Sequence, residues 1–292
     1  MRYVPFLVVL MLVASSCEKN IDFNLKNADP VLVVDAQIES GKPPTVILTK
    51  SLHYFSSITP GLLDSSFVHN ALVTVANGSR IQTLKEYSFH LGGGYTAYYY
   101  GIDSSNLSAI FVGQFNKEYL LRIVSEGKEY IAKTTIPLLA KYPDSIWFKQ
   151  APQNPDTTKR VLMVRTTDPP GLGNYIRYFT KKNSGDFLPG ENSVFDDKVI
   201  DGTTYEAQVD PGVDNNTPVS YDDNYFKKGD TVTLKLCNID KATYTFWNTW
   251  EFSRQSIGNP FSQPGKVVGN ISNGALGVFC GYAAWFGTIV AH

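Results

Sequence analysis

The sequence predicts a mostly β protein, with a β-sandwich over residues 31–137 and a second β-rich region over residues 138–292 that carries one packed α-helix. Short runs rich in β-branched and aromatic residues recur along the chain, and turn residues separate them. Aromatic residues make up 13% of the chain and charged residues only 18%, below the usual level of about a quarter. A single segment, near 241–256, combines apolar residues at helical spacing with end signals.

The first 16 residues have the layout of a signal peptide. Arg2 supplies the positive start, residues 4–13 are apolar, and residues 14–16 are small. The apolar run is too short to span a bilayer, which takes about 20 residues. Cys17 follows the small residues directly and indicates lipidation, with ordinary secretion of an unmodified cysteine as the alternative.

Residues 17–30 are expected to form a lipidated tether. Acyl chains on Cys17 would hold the mature chain in a lipid bilayer, because each buried CH₂ group contributes about 0.8 kcal/mol. The 13 residues after Cys17 could extend about 40 Å. The folded part can therefore stand away from the membrane.

Strand patterns dominate residues 31–137. The segments VLVVDAQIES, PPTVILTKS and EYLLRIVSEGKEYIAKTTI are rich in β-branched residues. Asn77-Gly78 and Glu126-Gly127 each lie between two apolar alternations, so both pairs predict hairpin turns. Several short strands in succession predict a sandwich.

Residues 138–292 contain turns, short strands and the helix. The segment DPPG at 168–171 predicts a turn between two strands. Short strands are expected at 198–200 and 205–209. Asp240 is an N-cap residue type and Gly258 a stop signal, so they delimit a helix near 241–256 whose aromatic stripe should lie on the sheet.

The charge balance argues against nucleic acid as a partner. The chain has 26 Lys and Arg against 27 Asp and Glu, a formal net charge of −1. Binding to phosphates needs clustered cations, and the sequence contains no basic run.

Two cysteines, Cys237 and Cys280, follow the lipidated one. In the predicted strand around 232–237, Val232 and Leu234 face one side and Cys237 the other, so we do not expect Cys237 to be a buried free thiol. An exported protein meets an oxidising compartment that allows a disulfide. A Cys237–Cys280 bridge and two unpaired thiols both stay open, because spacing does not define connectivity.

The sequence carries no recognisable catalytic, metal or cofactor motif. HExxH, CxxC and GxSxG are absent, and the histidines lack metal-ligand spacing: His53, His69, His90 and His292. We therefore expect a protein that is not an enzyme and has no cofactor. Two acidic stretches offer oxygen ligands for calcium but lack EF-hand spacing: Asp210, Asp214 and Asn216, or Asp222, Asp223 and Asn224. Solvated loops are the favoured interpretation of both stretches.

The run Tyr98-Tyr99-Tyr100 suggests a surface that contacts a sugar or a protein. Tyrosine offers an apolar ring and a polar tip. On a strand, Tyr98 and Tyr100 point to one side and Tyr99 to the other. Tyr98 and Tyr100 are therefore candidate ligand-surface residues, although packing within the sheet is the favoured interpretation.

The order of several motifs resembles a known family. After Cys17 come EKNIDF, LVVDAQI, PPTVILTKS, ALVTVANG, EYLLRIVSEGKEYIAKTTIP, TDPPGLGNYIRY, ATYTFWNT, GNPFSQP and VVGNISNGALGVFCGY. Together they resemble Bacteroidota outer-membrane lipoproteins of domain-of-unknown-function family 4249, over nearly all of the mature chain. The resemblance implies an immunoglobulin-like sandwich at 31–137 and genes beside TonB-dependent transporters. It implies no catalytic residues.

The leading functional hypothesis is a lipid-anchored, non-catalytic binding or scaffold subunit in the outer membrane, accessory to a TonB-dependent transporter. A free-standing structural lipoprotein of the cell surface is the first alternative. An envelope hydrolase with scattered active residues is the second. The sequence leaves open whether the anchor faces the periplasm or the cell surface.

Ser145 and Thr157 are candidate glycosylation sites. Each follows an aspartate, in DSI and DTT, and both segments resemble the three-residue O-glycosylation pattern of exported Bacteroidota proteins. Both residues flank the predicted junction between the two regions, where an exposed hydroxyl is expected.

Overall fold

The computed structural model describes residues 29–52, 56, 59–105, 110–214, 221–257 and 265–292. The strands are β1 Leu32–Glu39, β2 Thr45–Lys50, β3 Leu72–Ala76, β4 Ile81–Gly92, β5 Tyr95–Ile102, β6 Lys117–Ser125, β7 Lys128–Ile136, β8 Pro143–Gln150, β9 Lys159–Thr167, β10 Tyr175–Lys182, β11 Leu188–Phe195, β12 Thr204–Val209, β13 Phe226–Lys227, β14 Thr231–Ile239 and β15 Leu276–Val290. The helices are α1 Pro60–Ser66 and α2 Lys241–Gln255, with a 3₁₀ turn at Tyr221–Asn224. The predicted mostly β fold with one packed helix is confirmed.

One long sheet runs through both regions. Its strand order is β11-β10-β14-β15-β1-β2-β5-β4-β3-β6-β7. Strands that are far apart in this order, such as β15 and β7, contribute side chains to the same apolar core with β1, β2, β3 and β6. The sheet must therefore fold over on itself, and this closes a β-sandwich in the N-terminal region.

The two predicted hairpins of this sandwich form where the turn residues indicate. Asn77-Gly78 lies in the turn between β3 and β4, with φ of 86° at Gly78. Glu126 and Gly127 join β6 to β7 with φ of 51° and 74°. Two successive positive φ values match the twist of the strands in a two-residue hairpin.

The second region has three layers. A small sheet of β8, β9, β12 and β13 packs on β10, β14 and β15 across one apolar core. Helix α2 packs on the opposite face of β14 and β15 through a second core. The carboxylate of Asp240 caps the helix by accepting from the Thr243 N–H at 2.8 Å, and it also accepts from the Thr135 N–H of β7 at 2.8 Å. The cap therefore ties the helix to the first sandwich.

Of three local predictions, one is corrected, one is confirmed and one falls outside the described residues. The segment 198–200 is a turn and not a strand, because the Ile200 N–H bonds to the Asp197 carbonyl at 3.0 Å. The strand predicted at 205–209 is present as β12. The predicted helix stop, Gly258, lies outside the described residues, and the observed C-cap is Ser256.

The last strand is shared by the two regions. Its first part pairs in parallel with β1, from Val33 opposite Leu276 to Glu39 opposite Tyr282, and its second part pairs with β14 as far as Thr231 opposite Val290. Where β7 crosses this strand, only glycine fits, since a Cβ on Gly281 would lie 2.5 Å from the Thr135 carbonyl oxygen.

Candidate functional site

Strands β4 and β5 continue past the sandwich as a two-stranded ribbon. β3 pairs with β4 only as far as Leu84, and β2 meets β5 only at Tyr100. Beyond these points the residues of β4 and β5 pair with each other alone, from Tyr87 opposite Tyr99 to Gly92 opposite Tyr95. The three glycines at 92–94, all with positive φ, form the turn of this ribbon. The ribbon therefore projects from the sheet and offers two faces.

One face of the ribbon carries an exposed apolar and aromatic cluster, which we call the ribbon face: Tyr87, Phe89, Leu91 and Tyr99. Tyr99 lies 5.6 Å from Tyr87 and 5.9 Å from Phe89 between ring centroids. Phe89 is 43% exposed and Leu91 60% exposed. The Tyr87 hydroxyl donates to the Ile102 carbonyl at 2.9 Å and holds its ring in place. A shallow cavity of about 350 Å³ adjoins the two tyrosines beside Pro43 and Pro44.

The opposite face of the ribbon is covered around Tyr98 and Tyr100, which corrects the ligand surface expected at these two residues. Tyr100 is only 2% exposed, and its hydroxyl donates to the Val68 carbonyl at 2.8 Å. Burial raises the pKa of Tyr100 to about 12. Tyr98 packs against Phe67 and His69, with ring centroids 5.3 and 4.6 Å away. Helix α1 and its following residues thus occupy the side on which these tyrosines lie.

A second feature is a cavity of about 520 Å³ between the two sheets of the second region, which we call the inter-sheet cavity. Its walls come from β9 and β12 on one side and from β10, β11 and β14 on the other. Most lining side chains are aliphatic or aromatic: Pro143, Val164, Ile176, Tyr178, Phe195, Val199, Ile200, Tyr205, Ala207, Val209 and Leu236. Its mouth is bordered by the turn at 196–203, where Val199 is 94% exposed.

One cation reaches the wall of the inter-sheet cavity. Lys141 is 1% exposed, and its ammonium donates to the Asp168 carboxylate at 2.6 Å. The ammonium also lies 5.2 Å from the centre of the Tyr205 ring. The Asn238 side chain holds the Lys141 backbone through two hydrogen bonds of 2.8 and 2.7 Å. The charge is therefore neutralised and fixed in position.

Tyr178 is the second fixed polar group of the cavity. Burial raises the pKa of its hydroxyl well above the ordinary value, and the nearby carboxylates of Asp210 and Glu251 raise it further. The Asp210 backbone N–H bonds to this hydroxyl. The ring lies parallel to that of Phe195, 6.2 Å between centroids. A Cβ at Gly190 would lie 1.9 Å from the hydroxyl oxygen, so glycine is required there.

Three aspartates beside the cavity have carboxylate oxygens within 4.8 Å of one another: Asp168, Asp197 and Asp201. Each already stabilises the chain. Asp197 accepts from two backbone N–H groups of the 171–174 turn at 2.8 Å, and Asp201 accepts from a third at 2.7 Å. Asp168 is paired with Lys141. Their arrangement explains how the 168–174 and 196–203 loops are held together.

The acidic stretches considered for calcium do not form such a cluster within the described part of the chain. Asp210 accepts from the Gln208 side chain at 2.9 Å. Asp214 and Asp223 line a separate shallow cavity of about 250 Å³. Asn216 lies outside the described residues, as does the side chain of Asp222.

Cys237 and Cys280 are unpaired and buried. Of the two arrangements that the sequence left open, a disulfide and two unpaired thiols, the structure contains two unpaired thiols. Burial raises the pKa of the Cys237 thiol to about 12 and that of Cys280 to about 11. The expectation that Cys237 would not be buried is wrong. β14 has an apolar core on each of its two faces, so the side opposite Val232 and Leu234 is also interior.

The remaining site residues keep their predicted status. Ser145 on β8 and Thr157 in the β8–β9 turn are both exposed, and their glycosylation stays a prediction. Cys17, the predicted lipidation site, lies outside the described residues.

A buried polar network links α2 to the sheet. Arg177 donates to the Tyr282 hydroxyl at 2.9 Å and to the Ser193 hydroxyl at 3.1 Å, and its guanidinium lies 3.4 Å from the Trp247 ring centre. The Ser193 hydroxyl donates to Glu251 at 2.5 Å. Ser193 is fully buried, so this pairing of a hydroxyl with a carboxylate has no access to a substrate.

These features define a two-region β protein with a projecting aromatic ribbon and an apolar-lined cavity that opens to the surface. The chain belongs to the family described as Domain of unknown function (DUF4249), whose model matches residues 18–284. A search of curated proteins finds no match. Within the described residues, no helix has the length and apolar character needed to cross a membrane.

Proposed function

We propose that this chain is a lipid-anchored, non-catalytic binding or scaffold subunit of the Bacteroidota outer membrane, accessory to a TonB-dependent transporter. The ribbon face is the observation that carries the proposal. Its four side chains combine aromatic rings with exposed aliphatic surface on a projecting hairpin, and aromatic residues are enriched at the centres of protein interfaces. The signal-like segment before Cys17 supports the anchor, and the family resemblance supports the class of partner.

The geometry of the ribbon favours a protein partner over a structural role alone. Exposed apolar side chains grouped on one face are costly in water and mark interaction sites when they are contiguous. Phe89 and Leu91 are two residues apart on one strand and therefore share that face, next to Tyr99 of the neighbouring strand. A protein surface laid on this ribbon would cover all three.

A pull-down from native membranes in mild detergent tests the proposal. The tagged wild-type chain should recover a transporter in stoichiometric amount, and Phe89→Ser with Leu91→Ser should lose it. His90→Ser is the matched control, because His90 is exposed on the opposite face of the same ribbon. Recovery of the wild-type chain alone would overturn the transporter assignment and favour a free-standing surface lipoprotein.

A further inference from the structure

We propose that the inter-sheet cavity is a binding site for a small, uncharged and mostly apolar molecule that carries a hydrogen-bond acceptor. This site is separate from the ribbon face, and the proposal does not depend on the transporter assignment. Protein interiors are close-packed, with few voids larger than a water molecule. A cavity of about 520 Å³ lies within the range of small-molecule pockets, about 300–1,000 Å³.

The walls of the cavity are formed before any ligand binds. They consist of paired strands on both sides, with β12 hydrogen-bonded along β9 from Thr204 to Val209. Tyr178 is held by the Asp210 N–H, and Lys141 by Asn238 and Asp168. A ligand that enters such a preformed cavity does not have to order the side chains that contact it.

Charge around the cavity selects against an anionic ligand. The only lining cation within the described residues is Lys141, and Asp168 already neutralises it at 2.6 Å. Asp210 adds a carboxylate to the lining, and Asp196 adds another that is paired with the exposed Lys198 at 2.8 Å. An anion would meet these carboxylates without a free cation to pair with, and burying an unpaired charge is strongly unfavourable.

The lysine nevertheless provides a polar anchor. A lysine ammonium has three N–H donors, and the Asp168 carboxylate accepts one of them. A carbonyl, ether or hydroxyl oxygen of a neutral ligand can accept another without displacing Asp168. The aliphatic and aromatic walls, including Ala207, Leu236 and the ring of Tyr205, would contact the rest of the molecule.

The test uses two fluorescent probes of similar size and opposite electrostatic character. The first, 6-propionyl-2-(dimethylamino)naphthalene, is neutral and carries a carbonyl acceptor, and the second, 8-anilinonaphthalene-1-sulfonate, is an anion. Both are titrated into the mature chain, residues 17–292, carrying Cys17→Ser and produced without residues 1–16. Neither the apolar signal-like segment nor an acyl chain is then present, so no detergent is needed. We expect saturable one-to-one binding of the neutral probe, and at least tenfold weaker binding of the sulfonate.

A variant with a larger side chain in the cavity is compared with a variant that carries the same side chain outside it. Ala207→Phe places a ring in the cavity and should weaken binding of the neutral probe at least tenfold without lowering the melting temperature. Glu206→Phe adds the same ring on the exposed face of β12 and should leave binding unchanged. Should Ala207→Phe fail to fold, Leu236→Phe fills the cavity from the opposite wall. Equal binding by the wild type and a folded filled variant, or no binding by the wild type, would overturn the proposal.

Discussion

At the scale of single residues, the buried Lys141–Asp168 pair shows how a charge is retained inside this protein. Both side chains are almost completely buried. Asp168→Ala should destabilise the fold by about 3–5 kcal/mol, because it leaves an unpaired ammonium in the interior. Urea denaturation would measure the free energy of unfolding.

Two controls separate the charge effect from other causes. The double change Lys141→Met with Asp168→Leu removes both charges and should recover most of the loss. Glu126→Gln breaks an exposed ion pair with Lys50 and should leave stability nearly unchanged. An Asp168→Ala variant as stable as the wild type would show that Lys141 finds another partner.

The two interior cysteines allow a second prediction at this scale. A thiol reacts as the thiolate, and burial raises the pKa of Cys237 to about 12 and of Cys280 to about 11. In the Cys17→Ser chain at pH 8, a thiol reagent should therefore label neither cysteine of the native protein. It should label both after denaturation without a reductant. Failure to label the denatured chain would indicate a disulfide in place of two free thiols.

At the scale of secondary-structure elements, the crossing of β7 over β15 depends on the glycine at position 281, which has no side chain. Gly281→Ala would place a Cβ 2.5 Å from the Thr135 carbonyl oxygen, so the two strands would have to separate. Overpacking of this kind costs about 1–3 kcal/mol. Gly61→Ala is the control, because nothing lies within 4 Å of its Cβ and alanine favours the helix. Thermal unfolding should show a lower midpoint for Gly281→Ala and an equal or higher one for Gly61→Ala.

Elements with local signals could be predicted from the sequence, whereas their long-range partners could not. Asn77-Gly78, Glu126-Gly127 and the Asp240 cap act within a few residues of themselves, and all three are observed. The burial of Cys237 depends on two layers contributed by distant segments, and no local pattern near it records them.

Of the two candidate sites, the ribbon face has a local sequence signal and the inter-sheet cavity has none. The alternation Tyr87, Phe89, Leu91 before the glycines does mark an apolar strand face, and it was the available signal for the ribbon face. Tyr98 and Tyr100 are packed, as the favoured interpretation expects. The sequence does not show that α1 and the residues after it cover these tyrosines, because two strands separate α1 from β5 along the chain. The inter-sheet cavity has no sequence signal, since its walls come from five strands.

At the scale of the whole molecule, β15 makes the folding of the two regions interdependent. Phe279 and Ala283 belong to the core of the first sandwich, whereas Trp285 and Ile289 pack against the core of the second region. Side chains on the same face of one strand thus serve two cores in succession. The first sandwich consequently depends on residues of β15, which lie more than a hundred positions beyond the end of β7.

Two truncations test this dependence. A chain that ends at residue 275 lacks β15, so β1 loses its parallel partner and both regions should lose amide protection in hydrogen exchange. A chain that ends at residue 284 keeps the pairing with β1 and the core residues Phe279 and Ala283, but loses most of the pairing with β14. We expect β1 and β2 to stay protected in this longer chain, while the β14 amides that bond to the deleted part of β15 exchange faster. The β14 amides that bond to β10 keep their partners. Protection of β1 in the shorter chain would show that the first sandwich folds without β15.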